Sequence, residues 1–294
     1  MKNLLKWIGY FVYCIGVAIF FIYYLFPSDD AKNFAEYKLN RIDNRIKTDI
    51  NGIKPCFPPG LQFSGVNILN KDEKVLFLNE LKLYPHFFSV FRPLISVSYR
   101  IKAYDGIIKG TVDVAKKLKA KNMFVESNLS KININKIPEI NNIKDFNIAG
   151  LVTGNIKFDK NEANKFYKVE IDIKIAQGKM WLAKPILGIS ELNNFIVTSI
   201  KAEAEIDNFN INIKSLSVKS EQSDISVSGA IVINNNDIKN SSLNLSGNIQ
   251  PNPSFLSQLG KKLPINAIFK NKPSKDGFPF KLTGSPKRPS FSLI

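Results

Sequence analysis

The chain of 294 residues holds one histidine, His86, and two cysteines, Cys14 and Cys56. A Ser-His-Asp relay or a histidine metal centre has that single imidazole to build on, and Pro85 and Phe87 flank it with no partner motif. The cysteines sit far apart, Cys14 inside an apolar run, so neither a zinc pair nor an intramolecular disulfide is expected. Carboxylates offer more. Glu203, Glu205 and Asp207 alternate on one strand face, opposite Ala202, Ala204 and Ile206. Three oxygen donors on one face can hold a cation, but such a face also pairs with lysines of a neighbouring strand, and that pairing is the expectation. Glu170 and Asp172 face the polar side of their strand, whereas acid–base work needs an enclosed carboxyl of raised pKa. Gly150 to Gly154 reads GLVTG without the loop-to-helix setting of a phosphate cradle, so its glycines fit close sheet packing or a bend. Ser226 and Ser228 alternate with Val227 as ordinary sheet surface. The reading is a protein without catalytic residues, cofactor or metal.

The elements that carry these residues have period two. In VEIDIKIA, Val169, Ile171 and Ile173 face one way while Glu170, Asp172 and Lys174 face the other. Over 146–158, Phe146, Ile148, Val152, Ile156 and Phe158 share a face, with Gly150 and Gly154 between them. The same alternation recurs in KVLFLNELKL, SVSYRIKAY, IIKGTVDV, FNINIKSLSV, DISVSGAIVI, SSLNLSGNI and FPFKL, with breaks such as Asn234 to Asp237 acting as turns. Full-length crossover helices are missing from the pattern; Pro85 to Phe91 and Asn252 to Gly260 read as short helices. The fold expected is all-β: a long twisted antiparallel sheet, either a curved groove or an open sandwich, with 131–144 as a boundary between two lobes. Two states fit the apolar set Phe146, Ile148, Val152, Ile156, Val169, Ile171 and Ile173. It lines a groove for acyl chains, or it fills a closed core.

Trp7 to Phe26 is twenty residues without a charge, the length of a helix across about 30 Å of hydrocarbon. Lys2 and Lys6 precede it and Asp29 and Asp30 follow, which predicts a single transmembrane helix with a cytoplasmic N-terminus. A cleaved signal peptide has a shorter apolar stretch and an A-x-A-like site, which FIYYLFPSDD lacks. Ala31, Phe34, Ala35, Leu39, Ile42 and Ile46 then recur at helical spacing, an amphipathic helix that packs on the domain or lies on the bilayer. The divisions expected are a tip and anchor over 1–28, a helix and linker over 29–57, and a β domain over 58–294. A net charge of +16 spread evenly along the chain argues against a nucleic-acid site and leaves a basic surface able to meet anionic headgroups.

Two C-terminal stretches, SGAIVINNNDIKNSSLNLSGNIQPNPSFLSQLGKK (Ser228 to Lys262) and FPFKLTGSPKRPSFSL (Phe278 to Leu293), resemble the type II secretion system protein GspN family. So do FPPGLQFSGVNIL (Phe57 to Leu69) and LKLYPHFFSVFRPLISVSYRIKAYDGIIKGTV (Leu81 to Val112). The closing hairpin is also similar to that of the AsmA-like superfamily. The first resemblance implies a bacterial inner-membrane protein, its bulk periplasmic, that works with other secretion-system proteins. The second implies a sheet whose apolar face holds phospholipid acyl chains. Neither carries catalytic positions onto this chain.

Overall fold

A chain of alternating apolar and polar residues satisfies its backbone by pairing with neighbours, and most of this chain does so. The structure, a computed structural model, describes residues 2–41, 46–70, 73–91, 93–115, 122–141, 146–161, 166–182, 194–234, 237–253 and 277–294. The all-β expectation holds: fourteen strands form one open sheet in chain order, antiparallel wherever a register is defined. All of these strands belong to one hydrogen-bonded sheet. The residues fall into two compact units, Met1–Pro85 with Val97–Ala103, and His86–Ser96 with Tyr104–Ile294.

The first unit holds α1 (Lys2–Tyr24), α2 (Ser28–Asn40), β1 (Ile46–Cys56), β2 (Gly60–Asn70), β3 (Glu73–Pro85) and most of β4 (Leu94–Ala103). The helix expected to reach Phe26 stops at Tyr24, ahead of Pro27. No single helix among the described residues is long and apolar enough to cross a membrane; Gly9–Tyr24 and Ser28–Asn40 meet that test as a pair bent by 66°. The helical spacing read through Ile42 and Ile46 also ends early. α2 stops at Asn40 and Ile46 opens β1, so sheet begins inside the stretch assigned to helix and linker, where Ile46, Thr48 and Ile50 favour a strand.

α2 packs along β1 and covers the sheet's first edge. Asn40 Oδ1 accepts the Thr48 amide at 2.6 Å and Glu36 Oε1 accepts the Ile50 amide at 2.8 Å. Two outward amides that would otherwise invite another strand are thereby satisfied. Beneath them, Ile50 (0% exposed), Ile53, Val66 and Leu78 form the buried core of this unit.

The second unit holds β5 (Gly106–Ala115), β6 (Met123–Asn133), β7 (Phe146–Asn161), β8 (Phe166–Leu182), β9 (Asn194–Asp207), β10 (Asn210–Ser220), β11 (Ser223–Val232), β12 (Ser242–Pro251), β13 (Phe278–Ser285) and β14 (Arg288–Leu293). The short helix read at Pro85 to Phe91 is a 3-10 turn, Phe87–Phe91. The helix read from Asn252 lies outside the described residues after Pro253. Residues 131–144 do not divide two lobes. Their described part holds a 3-10 turn, Ile134–Lys136, and α3 (Pro138–Asn141), both packed on β7, with Asn135 Oδ1 accepting the Gly150 amide at 3.3 Å. Ile132 and Ile134 bury their side chains there, because the turn folds back on the sheet instead of leading away from it.

Gly154 has φ +155°, and a Cβ built on it runs into the Asp172 carbonyl oxygen of β8. The close approach expected of GLVTG is therefore real at this glycine. Gly154→Ala is expected to destabilise the fold by about 1–3 kcal/mol, read as a lower thermal midpoint by circular dichroism; an unchanged midpoint would mean that β7 and β8 separate without cost.

Candidate apolar binding face

Residues opposite one another in an antiparallel sheet share a face, so register assembles side chains that are far apart in sequence. Ser127, Ile156, Ile171, Ala204, Ile213 and Gly229 form one row across β6 to β11. Val125, Phe158, Val169, Ile206, Ile211 and Ile231 form the next. On the other side of the first row, Gly154 pairs with Ile173 and Val152 with Ile175. The face continues through Leu245 and Leu282 to Phe291 on β14.

Five of the seven sequence-derived residues, Val152, Ile156, Val169, Ile171 and Ile173, therefore meet in one patch. Ile148 and Phe146 lie farther along β7, opposite Met180 and Leu182, beyond a register shift whose extra residue is in β8. Phe158, read on the same strand face as Ile156, belongs to the patch, and so do Ile206, Ile211 and Ile213, which the expected set left out. The alternation of FNINIKSLSV flagged the strand of Ile211 and Ile213, but the rows that join it to β7 are a matter of pairing.

The rows from β6 to β11 stay partly exposed among the described residues. Ile156, Val169, Ile171, Ile206, Ile211 and Ile213 are all half-buried, in contrast to Ile50. Among the described residues no helix is in close contact with β8 to β11, whereas Leu245, Phe278 and Phe280 farther along the same face are buried; the packed layers are α2 on β1, and α3 with its preceding turn on β7. An apolar surface of several strands left open to water is the kind of patch that marks a binding site.

The opposite face is charged and self-paired. Lys168 Nζ reaches Glu205 at 2.6 Å and Glu170 at 2.9 Å, and Lys214 Nζ reaches Glu205 at 2.8 Å. Hydrogen bonds from Lys168 and then Lys214 pull the Glu205 carboxyl down to about 2. Glu170 is also lowered, chiefly by its hydrogen bond from Lys168. Of the acids on β9, Glu205 thus meets neighbouring-strand lysines as expected. A shallow depression beside it is lined by Glu126, Asn155, Lys157, Glu170, Asp172 and Glu203, and Asn155 Nδ2 donates to Glu126 at 3.3 Å and to Asn128 at 3.1 Å. Among the described residues no three His, Cys, Asp or Glu side chains come together to hold a metal ion. Cys14 is an exposed free thiol and Cys56 a buried one. Elsewhere Asp105 is lowered by a hydrogen bond from Lys136, at 2.7 Å, and another from Asn133.

The Glu205 cluster makes stability depend on acid in a defined window. A carboxyl held near 2 in the folded chain and at 4.5 when free stabilises the fold above about pH 4.5, and that contribution disappears as pH falls toward 2. The thermal midpoint of Glu205→Gln is expected below that of the parent at pH 7, with the gap closing by pH 2. A gap of constant size at both pH values would assign the effect to packing and not to charge.

Compared with known protein families, with curated proteins and with solved structures, the chain matches none of them.

Proposed function

We propose that this protein holds lipid acyl chains against the open apolar face of its sheet while α1 ties it to a membrane. The observation that carries the reading is the pair of in-register apolar rows from β6 to β11, half-buried, with no layer in close contact over β8 to β11 among the described residues. Water is a poor solvent for such a face, and acyl chains cover it without having to match a second sheet's side chains. The proposal for α1 rests on its surface, where Trp7 is 75% exposed and Tyr10 and Phe11 are 67% exposed, an arrangement stable in hydrocarbon. On this reading the protein is bitopic, its sheet on the far side of the bacterial inner membrane, and its role is to carry or shelter phospholipid in the cell envelope.

A phospholipid with a photoreactive group in its acyl chain tests this with the full chain in vesicles. Illumination is expected to leave adducts on β7 to β10. Adducts confined to α1 would sink the proposal, since they report bilayer contact alone.

A second reading, in which the sheet docks secretion-system proteins, is favoured by β14. Among the described strands it stands last in the order, and Phe291 is 56% exposed and Ile294 66% exposed. An unpaired edge strand is a template for a partner's strand. Crosslinking in intact cells through β14 would capture such partners, and recovery of none from abundant protein would count against it.

A further inference from the structure

We propose that the turn between β3 and β4 dips into the surface of a lipid bilayer. This rests on the reading that α1 lies in the bilayer.

The sequence around it is PHFFSVF, and its 3-10 turn turns three phenyl rings outward. Phe87 is 61% exposed, Phe88 83% and Phe91 88%, followed by Leu94 at 45% and Ile95 at 44%. Rings on an unstructured loop would collapse onto the nearest apolar surface. Here they are held out by Ser89, which is 3% exposed. Its hydroxyl donates to the His86 carbonyl at 2.6 Å and accepts from the Ser96 amide at 3.2 Å, and its own amide donates to the same His86 carbonyl at 2.8 Å. His86 and Ser96 are also joined directly, amide to carbonyl, at 3.0 Å. The turn is therefore built to display aromatic side chains to whatever lies beyond it.

The occupant follows from where the turn is spliced into the chain. It leaves β3 at Pro85 and returns to β4 at Val97, which pair with each other. Within the first unit that strand end lies level with the β1–β2 turn, because Cys56 pairs with Gly60 and Leu61 with Leu83. At this same end the Tyr23 hydroxyl of α1 donates to the Cys56 carbonyl at 2.5 Å, and Phe57 is 83% exposed. Tyr23 and Tyr24 close the apolar helix, the position at which tyrosines sit among lipid headgroups. A bilayer that receives α1 thus reaches the strand end from which the Phe87–Phe91 turn departs. Phenyl rings are well suited to that interfacial depth, and a net charge of +16 favours an anionic lipid surface.

The test places an environment-sensitive fluorophore on the turn. Phe88→Cys is made in a Cys14→Ser, Cys56→Ser background, labelled, and reconstituted as the full chain in vesicles of phosphatidylcholine and phosphatidylglycerol. Glu221→Cys, exposed in the turn between β10 and β11, serves as reference. The label at 88 is expected to shift to the blue, to be quenched by nitroxide-bearing lipids and to lose its access to aqueous iodide, while the label at 221 keeps that access. Equal iodide access at the two positions would overturn the inference. If the double-serine background folds poorly, Phe87→Ser with Phe91→Ser in the natural background gives an independent readout. Tritium or nitroxide-lipid contact at the turn should then fall in the double variant, and unchanged contact again overturns it. Failure here with acyl adducts still on β7 to β10 removes only this docking turn, whereas insertion at 88 without those adducts removes the acyl-binding reading and leaves the turn.

Discussion

Ile156→Asp is expected to strip the sheet of bound acyl chains while leaving it folded. Ile156 stands in mid-row between Ser127 and Ile171, half-buried on the apolar face. A carboxylate at a position open to solvent on that face keeps most of its hydration when no lipid is bound, so the empty sheet tolerates it. An acyl chain laid across the same spot would force the charge out of water, at a cost of several kcal/mol, enough to empty the site at any ordinary lipid concentration. The measurement is native mass spectrometry of the full chain from detergent, parent against variant. Lipid retained by α1 persists in both, and lipid held by the sheet is lost from the variant alone. Circular dichroism of the same samples decides the alternative. If the variant has lost its strand signal, the face closes into a core in solution, and the acyl-binding reading fails with it.

Ile50→Ala is expected to cost about 2–5 kcal/mol, the largest stability loss among the substitutions considered. Its side chain is 0% exposed, between Val66 of β2 and the helix laid along β1. Truncation removes buried methyl groups and leaves a void that close-packed neighbours fill only in part. The backbone amide of Ile50 also takes the Glu36 carboxylate, so a shift of β1 loosens the helix that covers the sheet edge. A urea midpoint well below the parent's, with the loss concentrated in the first unit by hydrogen exchange, is the expected result. A loss below about 1 kcal/mol would mean that β1 and α2 close the gap by moving together.

Much of this protein could be read from its residues one segment at a time. A period of two is a local property, so the strands of VEIDIKIA or FNINIKSLSV announce themselves without reference to their partners. Charge placement is local as well, which is why Glu205 of β9 read correctly as a partner of neighbouring-strand lysines. The absence of crossover helices excluded a parallel sheet before any pairing was known. What tertiary structure alone decided is everything that depends on register. Five residues of the expected apolar set meet because β7 pairs with β8 through Ile156 and Ile171, while Phe146 and Ile148 lie farther along β7, opposite Met180 and Leu182. Extra residues near Lys131 and Lys214 keep Leu129 aligned with Ile132 and Ile213 with Leu216, and nothing in the local composition marks them. The start of the sheet was missed for a related reason. Ile42 and Ile46 fit a helical period, but β1 gains its partner and its helical cover only through residues of β2 and α2, and those long-range contacts outweigh local spacing. Whether an apolar face is a core or a surface is likewise settled by what packs on it, and alternation along a strand is the same in both cases.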